Sequence, residues 1–161
     1  MAFNKEAFLN QTVEKVMDTS RPPFPEDIHE DLQITKVDIT DGIISKGDRK
    51  GKPWAQLNLT LGTNDPDIKA EMKITDEDRM ATVRYDVFLD LDDDGNLDVG
   101  EGRNIGLGKL RQAVGQNNED EWTIMDLHLA TVPYTQVKHR FNDDGDAFAN
   151  VTRVFGDNDE D

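Results

Sequence analysis

Two stretches of the chain alternate apolar and polar residues with a period of two, and no other feature limits the fold as strongly. In 54–61, Ala55, Leu57, Leu59 and Leu61 fall on one face, and Trp54, Gln56, Asn58 and Thr60 on the other. In 82–91, Val83, Tyr85, Val87, Leu89 and Leu91 alternate with Thr82, Arg84, Asp86, Phe88 and Asp90. In an extended backbone successive side chains point to opposite faces, so this pattern specifies strands with one apolar and one polar face. Such strands bury one side and leave the other free for solvent or a ligand.

The second stretch runs into Asp90-Leu-Asp-Asp-Asp-Gly-Asn-Leu-Asp-Val-Gly-Glu101, which invites two incompatible readings. Taken alone it matches an EF-hand calcium loop, with Asp90, Asp92, Asp94, Gly95, Asp98 and Glu101 at positions 1, 3, 5, 6, 9 and 12. The flanks oppose that reading. An EF-hand needs an amphipathic helix on each side, whereas a strand pattern precedes this loop. Gly102, Gly106 and Gly108 follow where the exit helix would run, each costing about 1 kcal/mol against Ala in a helix interior. The spacing instead predicts a helix from about Asn104, with Leu107, Leu110 and Val114 on one face and Gly115 as its stop. No second loop of this kind occurs. The loop is read as acidic and solvated, with no metal; calcium at Asp90, Asp92, Asp94, Asp98 and Glu101 is the alternative.

A length of 161 residues suits one domain. The absence of cysteine removes disulfides and thiolate metal sites and fits a reducing cytosol. Neither a signal peptide nor a membrane-spanning apolar run is expected. The net charge of −16 opposes nucleic-acid binding at face value, but the charges are segregated. The loop 90–101 carries six acids and no base, and the last six residues carry four acids and no base. Lys46, Arg49, Lys50 and Lys52 share one short turn, and Lys138, His139 and Arg140 are consecutive. An acidic chain can therefore still present one cationic face.

Along the chain, 4–18 carries a helical stripe of Phe8, Leu9, Val13, Val16 and Met17 with Asn4 as N-cap. Arg21-Pro-Pro-Phe-Pro-Glu26 then breaks the helix into an extended connector. Strands are predicted at about 31–45, 53–62, 80–91, 122–130, 134–141 and 147–155, with 66–75 ambiguous. Five or six short strands with one helix midway make a mainly β chain. The fold expected is an OB-fold-like, small Greek-key barrel with one helix between the third and fourth main strands. An N-terminal helix precedes it and an acidic C-terminal tail follows it. A β-sandwich is the structural alternative.

Side-chain parity extends the argument to function. Val137 points inward in 134–140, leaving Tyr134, Lys138 and Arg140 outward. Ala149 and Val151 form the core pair in 147–154, leaving Phe148, Asn150 and Thr152 outward. The non-core faces thus collect Trp54, Phe88, Tyr134 and Phe148 with Arg84, Lys138 and Arg140. Aromatics interleaved with cations and amides suit single-stranded nucleic acid, whose bases stack on rings while cations follow the backbone. Enzyme readings find no foothold. The chain lacks Gly-x-Ser-x-Gly, the phosphate-cradling Gly-x-x-x-x-Gly-Lys-Ser/Thr and His-Glu-x-x-His, and His29, His128 and His139 are scattered.

Several segments together resemble phage-encoded single-stranded DNA-binding proteins of the OB-fold type. Gly51-Lys-Pro-Trp-Ala-Gln-Leu is similar to that family's lead into its second strand. Phe88-Leu-Asp-Leu, Gly95-Asn-Leu-Asp-Val-Gly-Glu-Gly-Arg-Asn and Leu107-Gly-Lys-Leu-Arg-Gln-Ala-Val-Gly-Gln-Asn117 resemble its central block. Val137-Lys-His-Arg with Phe148-Ala-Asn-Val-Thr-Arg-Val resembles its closing hairpin, and Ala7-Phe-Leu-Asn-Gln-Thr with Pro25-Glu26 its start. The resemblance implies DNA-holding roles for Lys46–Lys52, Trp54 and Lys138–Arg140, and a partner-recruiting role for the acidic tail. It makes 90–101 a family loop, here with more acids than the pattern requires. The tail lacks the terminal aromatic of some phage and bacterial proteins of this role.

The sequence reading is therefore a helix and connector over 1–29, a DNA-binding domain over 30–155 and a disordered acidic tail over 156–161. The function expected is non-catalytic binding of single-stranded DNA in bacteriophage replication or recombination, in the cytoplasm of the infected host, with no cofactor. The alternative class is an acidic calcium-binding or protein-interaction domain. The expected DNA-binding residues are Lys46, Arg49, Lys50, Lys52, Trp54, Gln56, Asn58, Arg84, Phe88, Tyr134, Lys138, Arg140 and Phe148. Asp157, Asp159, Glu160 and Asp161 would meet replication or recombination proteins.

Overall fold

The computed structural model describes residues 2–18 and 21–157. Five strands run as β1 (Asp27–Ile43), β2 (Pro53–Thr63), β3 (Ala81–Leu89), β4 (Thr131–Phe141) and β5 (Ala147–Phe155). They close into a barrel in the order β1-β2-β3-β5-β4, with β4 paired back onto β1. Short α-helices α1 (Lys5–Leu9), α2 (Pro66–Glu71) and α3 (Ile105–Ala113) accompany the strands, with α3 falling between β3 and β4 in the chain. The architecture is mainly β and consistent with an OB-like barrel.

Closure depends on β1 serving two neighbours. Its first part, Asp27 to Gln33, pairs with β4; its second part, out to Ile43, pairs with β2. The register slips between Ile34 and Lys36, where the apolar spacing changes from Leu32 and Ile34 to Val37 and Ile39. A bulge of this kind bends a strand and increases its twist, which lets one strand cross from one wall to the other. The last seam is a parallel contact of β3 with β5 at Arg84 and Asn150.

The inward faces fill the barrel with Leu57, Leu59, Leu61, Val83, Val87, Leu89, Val132, Val137, Val151 and Val154. Leu107, Leu110 and Ala113 recur at helical spacing and bury one face of α3 against them. Phe24, only 1 % exposed, anchors the proline-rich connector. Its ring meets His29 edge-on, and its carbonyl accepts a hydrogen bond from His139 Nε2 at 2.7 Å.

Two predicted elements are corrected. Helix is confined to Lys5–Leu9 within 4–18, and Phe8, Leu9, Val13, Val16 and Met17 are all exposed. Asn4 does cap the turn, its Oδ1 accepting from the Ala7 N–H. Without a surface to bury the stripe, a segment this short lacks the tertiary packing that sustains most protein helices. The stretch 122–130 is not a strand. It holds a 3-10 turn, Ile124–Leu127, in which Thr123 and Asp126 satisfy each other's backbone as a capping box. The ambiguous 66–75 resolves into α2, with Asp65 as N-cap and Pro66 at the first position.

Candidate functional site

The outward residues of β1, β2 and β3 stand in cross-strand rows. Gly42 faces Trp54. Thr40, Gln56 and Phe88 form the next row, then Asp38, Asn58 and Asp86, then Lys36, Thr60 and Arg84. Arg84 meets Asn150 of β5, and Asn150 meets Lys138 of β4. Arg140 and Phe148 pair one step nearer the β4–β5 turn. The outer wall is therefore continuous from Trp54 to Phe148. From the Trp54 row to the Thr60 row alone it runs six residues of β2, about 20 Å.

Three grooves follow this wall. One of 530 Å³ is lined by Ile43, Ile44, Ser45, Lys46, Trp54, Gln56 and Phe88. The next, of 280 Å³, lies among Lys36, Asp38, Thr40, Asn58, Thr60 and Arg84. The third, of 410 Å³, shares Thr60 and Arg84 with it and continues to Arg21 and Phe148.

Each end presents an exposed ring, Phe88 at 62 % and Phe148 at 51 %. Trp54 is half-buried because its indole lies over the backbone of Gly42. A Cβ at Gly42 would come within 2.7 Å of the indole Nε1. The middle of the wall is a polar seam. Gln56 Nε2 donates to Asn58 Oδ1 at 3.0 Å, and Arg84 donates to the same oxygen at 3.2 Å and to Asp86 at 2.6 Å. Asn58 Nδ2 also donates to the Thr40 hydroxyl. These groups are held in fixed orientations, and the Arg84 charge is partly offset by Asp86.

The turn from β1 to β2 brings the basic cluster to the Trp54 end. Gly47 and Gly51 adopt φ of 87° and 88°, a left-handed backbone that glycine enters without a Cβ clash. Lys46, Arg49 and Lys50 are exposed on this turn. Lys52 is engaged by the Asp93 carboxylate at 2.5 Å. Lys52 first, with Arg49 adding less, holds that carboxyl below its ordinary pKa.

The structure thus gathers Trp54, Gln56, Asn58, Arg84, Phe88, Lys138, Arg140 and Phe148 on one wall, with Lys46, Arg49 and Lys50 at its edge. Tyr134 lies elsewhere. It faces Glu30 on β1 and Phe155 on β5, stacking on the Phe155 ring with centroids 5.1 Å apart. Its hydroxyl donates to Asp157, whose carboxylate raises the tyrosine pKa above the ordinary 10 through that bond and its charge. Asp157 therefore sits beside an acidic pair, Glu30 and Asp31, away from the grooved wall. Asp159, Glu160 and Asp161 lie outside the described residues.

The acidic loop folds on itself. The Asp92 carboxylate accepts from the Asp94 and Asn96 N–H groups, both at 2.9 Å, and Leu91 bridges Leu97. Asp98 accepts from the Gly100 N–H and from Arg103. Asp90 accepts from the Asn104 N–H at 2.8 Å, while the Asn104 amide returns a bond to the Asp90 carbonyl. Asp94 and Glu101 are exposed. Among the described residues no three metal-ligating side chains gather into a site. The loop is entered from β3, not from the helix that an EF-hand requires.

Sequence reasoning passed over Lys36, Gly42 and Arg21. A signal for Lys36 existed: the spacing of Leu32, Ile34, Val37 and Ile39 marks the bulge that turns Lys36 outward. Gly42 follows only from knowing which residue Trp54 opposes.

No protein-family model, curated protein or solved structure matches the chain. No helix among the described residues is long and apolar enough to cross a membrane.

Proposed function

We propose that this chain is an OB-fold single-stranded DNA-binding protein. In this reading it is non-catalytic and sequence-tolerant, and it acts in bacteriophage replication or recombination inside the infected host cell. One observation carries the reading: a continuous grooved wall with Phe88 and Phe148 exposed on it, Trp54 seated at one end, and cations on the wall and its adjoining turn. Phe88 and Phe148 stand exposed on one polar face. They offer stacking surfaces to unpaired bases, worth about 1–3 kcal/mol per base. Lys36, Lys138, Arg140 and the turn cations supply phosphate contacts. The polar seam of Thr40, Gln56, Asn58 and Arg84 can meet base edges or sugars. The replication setting rests on the family resemblance of the central block and closing hairpin. Recruitment of replication proteins is assigned to the acidic tail.

Fluorescence anisotropy with labelled single- and double-stranded oligonucleotides tests this at low and moderate salt. Single strands of differing sequence should bind with similar affinity and in preference to duplex. The affinity should fall with salt by about 0.7 in log–log slope for each phosphate neutralised. Equal binding of duplex, or no binding of single strands at low salt, refutes the proposal.

A further inference from the structure

The Lys52–Asp93 contact joins the basic turn to the acidic loop at the Trp54 end of the wall. Asp93 is held there by construction. The Asp92 carboxylate braces the backbone that follows it, accepting from the Asp94 and Asn96 N–H groups, and the Leu91–Leu97 bridge closes the loop base. Gly95 comes so near the start of β2 that a Cβ on it would touch Pro53 at 3.7 Å. The loop backbone bonds to the Asp92 and Asp98 carboxylates, while the Asp93 carboxylate accepts from Lys52. The Asp93 Oδ1 presents to the Lys52 ammonium an anionic oxygen, as a nucleic-acid phosphate would.

We propose that Asp93 is a built-in competitor: it occupies Lys52 in place of a phosphate, and a bound strand must displace it to engage the turn. The proposal rests on the strand-binding reading above and adds a regulator to that same site. Both partners are substantially exposed, at 41 % for Lys52 and 85 % for Asp93. Exposed pairs are cheap to break and strongly screened by salt. The contact therefore lowers affinity without blocking it, and its effect fades as salt rises. Every polyanion that engages Lys52 meets the same displacement cost, and a single strand adds stacking on Phe88 and Trp54 to its total affinity.

The test measures binding of a thymidine-only oligonucleotide to the full chain and to Asp93→Asn, Lys52→Ala and the double variant. Asp93→Asn should tighten binding about two- to five-fold at low salt and much less at high salt, as the small worth of an exposed pair and its screening require. In the Lys52→Ala background the same substitution should have little effect. Asp94→Asn, an equal charge change on the next residue, should fall well short of Asp93→Asn. Thermal denaturation should find Asp93→Asn as stable as the parent, because the loop's backbone bonds do not use that carboxylate. If the parent chain binds single strands and Asp93→Asn leaves affinity unchanged, the competitor is refuted and the binding reading stands. An equal gain with and without Lys52 refutes it too, by reducing the effect to net charge. If the parent chain binds no single strands at all, the binding reading itself has failed.

Discussion

Replacing Phe88 with alanine separates a binding ring from a structural one. Phe88 lies on the outer face of β3, opposite Gln56, with 62 % of its surface exposed. Little more than a third of the ring's surface is lost to solvent on folding. Full burial of such a side chain is worth about 1.5–3 kcal/mol, so its stake in stability is about 0.6–1.1 kcal/mol. Its neighbours on β3, Val87 and Leu89, are 5 % and 4 % exposed and carry the packing. A base stacked on the ring contributes about 1–3 kcal/mol, so Phe88→Ala should weaken single-strand binding about 5- to 140-fold. Urea denaturation and anisotropy on the same preparation measure the two quantities. Leu57→Ala is the contrasting control: Leu57 is wholly buried, and its truncation should cost about 2–5 kcal/mol of stability. The reasoning is refuted if Phe88→Ala keeps its affinity within about twofold, below the roughly fivefold floor of one stacked base. It is equally refuted if the variant loses stability on the scale of Leu57→Ala.

Gly42→Ala should unseat the Trp54 indole, because the new methyl would fall within 2.7 Å of it, and should weaken single-strand binding with a change in tryptophan emission. Trp122 is the other tryptophan, held under Arg111 and bonded to Gln116, so the Trp122→Phe background isolates the signal. The two tyrosines should titrate above 10, Tyr85 because burial disfavours its phenolate and Tyr134 because its hydroxyl bonds Asp157. The folded state then holds these protons more tightly than the unfolded. The associated stability is complete below about pH 10 and lost as pH climbs through the raised values. Ultraviolet titration in water and in urea checks this, and Asp157→Asn should return only Tyr134 toward the ordinary value. Millimolar calcium should leave melting temperature and strand affinity nearly unchanged. Micromolar affinity by calorimetry, abolished by Glu101→Gln, would restore the calcium reading of the loop.

The strands were legible because their signal is local. Alternation in 54–61 and 82–91 depends only on which neighbours are apolar, and it assigns Leu57, Leu59, Val83 and Val87 inward without knowledge of any partner. The helix at Leu107 and Leu110 was legible for the same reason, and so was the strand character of the residues before the acidic loop. The stripe in 4–18 has that local signal too, yet its helix ends at Leu9. A stripe records what a segment could bury; whether anything lies opposite to receive it is a tertiary fact. In 122–130, the mutual capping of Thr123 and Asp126 outweighed strand propensity, and β4 took the place beside β1.

By itself the sequence determined the secondary structure of the strong strands, the faces they bury and the kinds of side chain left outside. Only the tertiary structure decided which outward residues meet. Parity groups Tyr134 with Trp54 and Phe88, because all are outward and aromatic. A closed barrel has an outside all the way round, however, and register alone assigns a residue to a wall. Register sets Tyr134 between Glu30 and Phe155, Trp54 against Gly42, and Arg84 across the seam from Asn150. It follows from strand pairing over long sequence separations and from the β1 bulge, and no short window of residues encodes those distances.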